Sequence, residues 1–454
     1  MHKSGACSSV DVPVTFCPTC NLKSFRTTRS ETRGAQLPTK VSKLVLYGFS
    51  FFGKPFSYLA LPLGSALVLY PQVLLRPMYF GLTGHNSLTS VSWALLISLI
   101  YGIFGVGYGV LSGYSLVTAL QVLSYNLYPF YLFLGIWGGV QDPNFVRKYI
   151  RFFAWFGTAF IPIDFILKNR AEILFHSVVG TGFGVLLGIF AFEQRLGRYW
   201  LPIVVFSFSL IAHQVRGDWF GMMIALLVWG TATKNLGRIS GMIAAIAILL
   251  IVGLIFDVHL RAVPGRGGEL STRETVARAV STVSPELGME YSSNARAYAG
   301  TVSWRKNWWK GIREAVSENY QTMMFGLGYG FPIYILGQGE LRNTKSGIRS
   351  PHNIFYFVLA YSGVVGLICF FWLEASVVML LWETYKETGQ IFGLIFFISA
   401  VVSAFCGNFL ETPHEAIPTY LLTGLAIGPL FRQKAQSVVT QRHGLGPVQL
   451  TVAV

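Results

Sequence analysis

Residues 349–382 read RSPHNIFYFVLAYSGVVGLICFFWLEASVVMLLW, and this stretch decides the fold. From residue 353 onward its only charged residue is Glu374. The run is longer than the roughly 20 apolar residues that a helix needs to cross a bilayer. Arg349 and His352 stand where the polar sequence becomes apolar. Ionisable residues at such a boundary favour a functional site on that side of the membrane.

The composition of the whole chain extends this prediction. Hydrophobic residues make up 53% of the 454 residues and charged residues only 12%, and the mean hydropathy is +0.52. These values exclude a soluble globular domain. Apolar segments occupy residues 44–75, 88–111, 115–138, 146–167, 173–192, 199–212, 218–231, 239–256, 353–382, 391–410 and 416–430.

The segments predict an all-α fold, a polytopic membrane bundle of 11 or 12 spans with one large external loop. Helix is the form that satisfies the backbone of such long apolar runs inside lipid. The count stays open because Gly53, Pro55 and Pro62 break the first segment, which is then either one span or a hairpin.

Lys and Arg gather in turns that alternate along the chain, as the positive-inside rule expects of cytoplasmic turns. These turns contain Arg147 with Lys148 and Arg151, Arg195 with Arg198, Lys234 with Arg238, and Arg432 with Lys434. Placing them in the cytoplasm puts residues 213–217, 257–351 and 411–415 outside. The formal net charge of +15 is therefore explained by topology, and nucleic acid is not an expected partner.

The spans and tails divide the chain into regions of different character. These are a disordered basic N-terminal tail (1–43), an N-terminal transmembrane bundle (44–256), an external loop (257–351), C-terminal transmembrane helices (352–431) and a cytoplasmic tail (432–454).

The external loop is predicted to be mostly helical. Ser271 and Glu274 have the spacing of a capping box, which predicts a short helix over 271–280. Trp304, Trp308 and Ile312 recur at helical spacing and predict a second helix over 303–318, with these side chains on one face. The glycine-rich segment 326–330 predicts a flexible turn.

Several groups on the predicted external side suit a diphosphate. Arg216 begins a span, Arg305 lies in the loop, and Arg349 precedes the next span together with His352. Guanidinium groups grip phosphate oxygens in pairs and offset the charge on a leaving diphosphate. A histidine near neutrality can take the proton of an attacking hydroxyl.

Each of these positions also has a plainer explanation when taken alone. An interfacial arginine, a basic surface helix and a helix cap would account for them, but their shared side and depth favour one site. The turn with Glu411, His414 and Glu415 is interpreted as solvated. Neither a metal nor another cofactor is expected, because the sequence has no Asp-x-Asp pair and no His/Cys cluster.

Two elements carry a resemblance to a known family. One is Arg216-Gly217-x-x-x-Gly221 at the start of a span, followed by the long external loop. The other is Pro351-His352-Asn353 followed by LAYSGVVGL at 359–367. Over residues 199–382 the chain resembles the O-antigen ligase / O-antigen polymerase superfamily.

The resemblance implies a metal-independent glycosyltransferase of the bacterial inner membrane, active on its periplasmic face. Such an enzyme moves a glycan from undecaprenyl diphosphate to the hydroxyl of an acceptor, which is a glycan, a lipid or a protein. By the same resemblance His352 takes the catalytic role and Arg216 binds the diphosphate. Arg305 is the preferred second arginine, with Arg349 in reserve. We expect inversion at the anomeric carbon, since a single displacement suffices.

Two other classes of function compete with the transferase hypothesis. A transporter of a small anion or solute would use intramembrane acids such as Asp164 and Glu374. Transporters, however, tend to place their binding groups near the midplane in broken helices, and these two acids are isolated in the sequence. A scaffold in an envelope complex predicts no particular role for His352.

Overall fold

The computed structural model describes residues 29–52, 88–166, 182–212, 216–240, 259–260, 270–337 and 350–442, without 194, 238, 282 and 283, and with the single positions 56, 251 and 255. These residues are helical apart from one short antiparallel strand pair and connecting turns, so the all-α class is confirmed.

The described residues before residue 257 are mainly helical. The helices are α1 (Arg29–Phe52), α2 (Leu88–Leu111), α3 (Leu116–Leu127), α4 (Tyr131–Gln141), α5 (Phe145–Ile166), α6 (Gly182–Phe192), α7 (Trp200–Ala212) and α8 (Arg216–Ala232). A 3₁₀ turn, Tyr128–Phe130, joins α3 to α4 where Pro129 lacks a backbone N–H. Helix α1 begins at Arg29, inside the segment 1–43 that was predicted to be a basic tail, while residues 1–28 lie outside the described residues.

The loop contains β1 (His259–Leu260), β2 (Leu270–Ser271), α9 (Thr272–Val280), α10 (Pro285–Met289), α11 (Ala295–Val316) and α12 (Tyr320–Phe325). Ser271 caps α9 by accepting a hydrogen bond from the Glu274 backbone N–H, so the capping prediction is confirmed. Helix α11 begins at Ala295, earlier than predicted, and its buried face contains Trp308 and Ile312 as expected.

Three helices complete the bundle: α13 (Ile354–Thr388), α14 (Phe392–Cys406) and α15 (Pro413–Arg442). Among the described helices, α2 and α13 are long and apolar enough to cross a bilayer. Helices α6, α7, α8 and α14 are apolar but shorter. The prediction of 11 or 12 spans therefore stays a prediction.

Close contact between α8 and α14 brings the start of α8 to the end of α14. A Cβ on Gly217 would lie 2.9 Å from the Cβ of Cys406, and a Cβ on Gly221 would lie 2.6 Å from the Ser399 carbonyl oxygen. Small residues four apart allow two helix backbones to approach this closely inside a membrane. The Ser403 hydroxyl donates to the Gly217 carbonyl at 3.3 Å and fixes the register.

Contacts between helix ends show which turns share an end of the bundle. The Tyr385 hydroxyl donates to the Ala232 carbonyl at 2.9 Å, joining the ends of α13 and α8. Lys434 of α15 binds Glu383 near the end of α13. The same end holds the pairs Arg151–Glu193 and Phe192–Phe392. We call this the basic end, and the opposite end, which carries His352, the site end.

The segment Gly326–Gly330 corrects the prediction of a flexible turn. It is buried between α2 and α13, where the Leu327 backbone N–H donates to the Ala360 carbonyl at 2.7 Å. The Tyr329 hydroxyl donates to Asn126 Oδ1 at 2.9 Å and accepts from the Ser362 hydroxyl at 3.2 Å. The loop predicted to be external is therefore anchored inside the bundle.

Helix α13 is kinked at the point where this segment enters. Gly363 has φ 61 and ψ −159, which is not helical. A Cβ at this position would lie 2.5 Å from the Gly326 backbone nitrogen and from the Met324 carbonyl oxygen. Glycine is required here both for the positive φ and for the close approach of two backbones.

Candidate functional site

The site begins at the turn that leads into α13. Asn353 is the N-cap of this helix, and its side-chain oxygen accepts from the Phe355 backbone N–H at 2.9 Å. Its amide nitrogen donates to the Phe405 carbonyl at 2.7 Å, so one residue fixes α13 to the end of α14. The cap is Asn353, so both Ser350 and Pro351 lie before the first turn of the helix.

His352 lies in the left-handed region just before this cap. Its φ is 53, uncommon for a residue with a Cβ, and its backbone N–H donates to the Ser350 hydroxyl at 3.1 Å. Strained backbone of this kind concentrates at functional sites because the surroundings must hold it in place.

Helix α11 packs over this turn through its tryptophans. Trp308 is fully buried and donates to the Ile333 carbonyl at 2.8 Å. Trp309 donates to the Pro351 carbonyl at 2.9 Å. The Trp304 ring lies 6.3 Å from the His352 ring, centroid to centroid. The predicted apolar face of α11 thus packs on the bundle. This packing brings Arg305, which follows Trp304 in the chain, close to His352.

The Arg305 side chain extends from α11 to the end of α14. Its Nη1 donates to the Cys406 carbonyl at 3.0 Å, which orients the guanidinium group. Gly217 of α8 packs on Cys406, so the first residue of α8, Arg216, begins next to this contact. The Arg216 side chain and all of Arg349 lie outside what the structure describes.

The surroundings of His352 keep its imidazole neutral. Burial lowers its pKa to about 4, and the nearby charge of Arg305 acts in the same direction. The near-neutral pKa assumed from the sequence is therefore wrong. An imidazole with this pKa is unprotonated at neutral pH and has a nitrogen lone pair available to accept a proton.

The turn between α14 and α15 was predicted to be solvated, but its Glu411 is buried. Glu411 is only 9% exposed, and burial raises its pKa to about 8 against the opposing effect of Ser350, Asn353 and Arg305. Burial also raises the pKa of Glu415 to about 8, with the charge of Asp218 in support. This end of the bundle thus contains carboxyl groups that stay largely protonated at neutral pH.

The sequence-predicted site residues can now be placed. The structure brings Arg305 and His352 together, and it places the start of α8, though not the Arg216 side chain, beside them. Glu411 was missed as part of the site. The available signal was an acidic residue in a short turn between two apolar helices. Among the described residues, no three His, Cys, Asp or Glu side chains form a metal-binding group.

A comparison with protein families identifies this part of the chain. Residues 201–371 match the family model described as O-Antigen ligase. Over these residues the chain is similar to the O-antigen ligase family. The match runs from α7 to α13 and so includes His352 and the three candidate arginines, while Glu411 follows it. It covers less than half of the chain. No curated protein matches the chain.

The family match confirms the resemblance inferred from the sequence. It supports membrane glycan transfer of the O-antigen ligase type in general. Glu374, which would have supported a transporter, is buried in α13 and accepts a hydrogen bond from the Tyr420 hydroxyl at 2.7 Å.

Proposed function

We propose that the protein transfers a glycan from a polyprenyl diphosphate to the hydroxyl of an acceptor, on the outer face of the bacterial inner membrane. The observation that carries this proposal is the meeting of Arg305 with a neutral His352 at one end of the bundle. A guanidinium group beside an unprotonated imidazole offers both groups that the transfer needs, one for a leaving anion and one for a proton.

Arg305 binds the diphosphate of the donor, helped by Arg216 and Arg349. Its hydrogen bond to the Cys406 carbonyl orients the guanidinium plane before the glycan donor binds. Guanidinium donors fixed in this way stabilise charge without further reorganisation as it develops on the leaving oxygen. In this proposal the arginines supply the positive charge of the site, and no metal ion takes part.

His352 accepts the proton of the acceptor hydroxyl. Its pKa of about 4 makes it a weak base in the free enzyme. Bound diphosphate offsets the charge of Arg305, and an opposite charge nearby favours a protonated imidazole. The proton affinity of His352 therefore rises when donor is present. The base becomes stronger at the moment it is needed.

The reaction is a single displacement at the anomeric carbon. The acceptor oxygen forms a bond to this carbon while the bond from the carbon to the diphosphate oxygen breaks. The electron pair of the broken bond stays on the diphosphate, which leaves near Arg305, and the acceptor proton passes to His352. Attack opposite the leaving group inverts the configuration of the sugar.

A reconstituted assay tests this function. The purified full-length protein in lipid nanodiscs is mixed with undecaprenyl-diphosphate-linked glycan and candidate acceptors, and both the glycosylated product and the released undecaprenyl diphosphate are quantified. We expect the two in equal amounts, with the same rate in the presence of EDTA. Release of neither product with any acceptor class, or strict dependence on a divalent cation, contradicts the proposal.

The outward orientation of the site end is tested separately by cysteine labelling in intact cells. With the native cysteines replaced, an impermeant thiol reagent should modify cysteines near Gly268 and Gly339. Cysteines near Asn235 and Thr388 should react only after permeabilisation, because their charged turns are assigned to the cytoplasm. The reverse pattern would place His352 away from an externally presented donor and refute the orientation.

A further inference from the structure

Glu411 combines features that the transfer mechanism does not yet use. Its exposed fraction is only 9%, and neither carboxyl oxygen forms a hydrogen bond of normal geometry. A buried carboxylate whose neighbours are poorly aligned for hydrogen bonding is costly, whereas the uncharged acid is far less so. Groups that a fold keeps in this condition are candidates for a functional role.

The neighbours of Glu411 are the groups that carry the chemistry. The Ser350 hydroxyl and the Asn353 backbone N–H approach its carboxyl group, and Arg305 faces it from α11. Ser350 accepts from the backbone N–H of His352, and Asn353 caps α13. Glu411 therefore contacts the turn on both sides of the strained histidine.

Two further acids face this region. Glu415 of α15 raises the pKa of Glu411, and Asp218 of α8 acts on Glu415 in the same way. Arg305 opposes the rise, but burial prevails and the pKa of Glu411 stands at about 8. At neutral pH the carboxyl group beside Arg305 is thus mostly uncharged.

We propose that Glu411 is a positioning residue that works as an uncharged acid, supporting the turn of His352 and adding no negative charge beside Arg305 when the donor diphosphate binds. Once ionised, Glu411 becomes an anion next to Arg305 and competes with the diphosphate for it. This inference rests on the proposed function and adds to it a carboxyl group whose ionisation sets the upper pH limit of glycan transfer.

The expected pH dependence follows from the sign of the charge change. Below about pH 8 Glu411 is protonated and donor binding is unhindered. Above pH 8 each further unit makes the uncharged form about tenfold rarer, so the KM for donor should rise about tenfold per unit. The kcat should change little, because the complex that does form contains the uncharged acid.

The test measures initial transfer rates against donor concentration from pH 6 to 9.5, with the full-length protein in nanodiscs. Wild type should show the alkaline rise in donor KM, and Glu411→Gln, which cannot ionise, should not. The control Glu374→Gln makes the same change at a buried carboxyl bonded to Tyr420, and it should keep the wild-type rise. Glu411→Ala should lower kcat at every pH because the turn loses its support.

Two results would overturn the proposal: a wild-type donor KM that stays flat to pH 9.5, or a Glu411→Gln variant that keeps the wild-type rise. The first needs no variant to fold. Infrared difference spectra between wild type and Glu411→Gln at pH 7 supply a readout independent of transfer, since the protonated carboxyl band of Glu411 should appear in the difference. If wild type transfers, His352→Ala does not, and the band is absent, the positioning role fails while the proposed function stands.

Discussion

The two ends of the bundle treat their charges in opposite ways. At the basic end, Lys43 and Asp142 form a partly exposed ion pair at 2.9 Å. Burial works against the charge of Asp142, but the bond to Lys43 brings its pKa below the ordinary value. At the site end, burial raises the pKa of Glu411 to about 8 even though Arg305 lies near, and lowers that of His352 to about 4.

The difference separates charges that serve topology from charges that serve chemistry. Exposed ion pairs contribute little to stability and tolerate change, with typical values of about 0–1 kcal/mol. Buried groups with displaced pKa values cost stability, so a fold keeps them where they act. Substitutions of the buried site-end groups with displaced pKa values should therefore affect transfer, and those of the exposed ion pairs at the basic end should not.

The largest effect is expected for His352→Ala. Loss of the proton acceptor should reduce kcat by at least about 100-fold, the usual contribution of a general base. The rate of product formation by the purified variant measures this, with the amount of protein in the membrane as a control for folding. His414→Ala changes a second histidine near the same end and should keep most of the activity. Near wild-type transfer by His352→Ala would leave the histidine as an interfacial cap only.

Arg305→Ala should reduce kcat/KM for the donor substrate by about 100-fold. Removing one hydrogen-bond donor that faces developing charge typically has an effect of this size. Arg305→Lys should be nearly as damaging, because lysine keeps the charge but loses the planar fork and its orientation on Cys406. Arg216→Lys and Arg216→Ala should show the same relation.

Lys306→Ala is the matched control for these arginine variants, since Lys306 is the exposed neighbour of Arg305 on α11. Its steady-state constants should match those of wild type. Full activity in Arg305→Lys would mean that Arg305 contributes charge alone.

Gly363→Ala tests the anchor of the loop. The added methyl group would lie 2.5 Å from the Gly326 nitrogen, in addition to left-handed strain of about 1–2 kcal/mol. We expect faster hydrogen exchange over residues 320–330 and a transfer rate lowered about tenfold, because the same loop carries Arg305. Gly389→Ala has a similar φ of 72 but open space around it, so it should show the strain without the faster exchange. Equal exchange in both variants would contradict the anchoring role.

The smallest effect is expected at the basic end. Lys434→Ala removes the ion pair with Glu383, whose side chains are 43% and 29% exposed. Unfolding free energy should change by less than about 1 kcal/mol, and transfer should stay within about twofold of wild type. A large loss of activity here would remove the distinction between the two ends.

Local features of the sequence predicted much of the fold. The apolar run at 88–111 has the same bounds as α2. This agreement is expected because the ends of an apolar helix are set by the local sequence. The Ser271 cap and the buried face of α11 were predicted from spacing within a few residues. Arg305 and His352 were predicted as members of one site because both lie on the same side of the predicted topology.

Contacts between distant residues could not be predicted in this way. Glu411 was assigned to solvent because its own turn is short and polar, whereas it is buried near Arg305, Ser350 and Asn353, which are distant in the chain. The segment Gly326–Gly330 was predicted to be flexible because its glycines permit many conformations. Its actual conformation is set by hydrogen bonds to Ala360 and Asn126.

The anchored loop has a consequence for building chimeras between ligases. Tyr329 reaches Asn126 on α3 and Ser362 on α13, and Gly363 leaves room for the backbone of Gly326. A foreign loop grafted between residues 257 and 351 would lack these contacts with the bundle. A grafted loop should therefore dock on the bundle only when the residues equivalent to 126, 362 and 363 are exchanged with it.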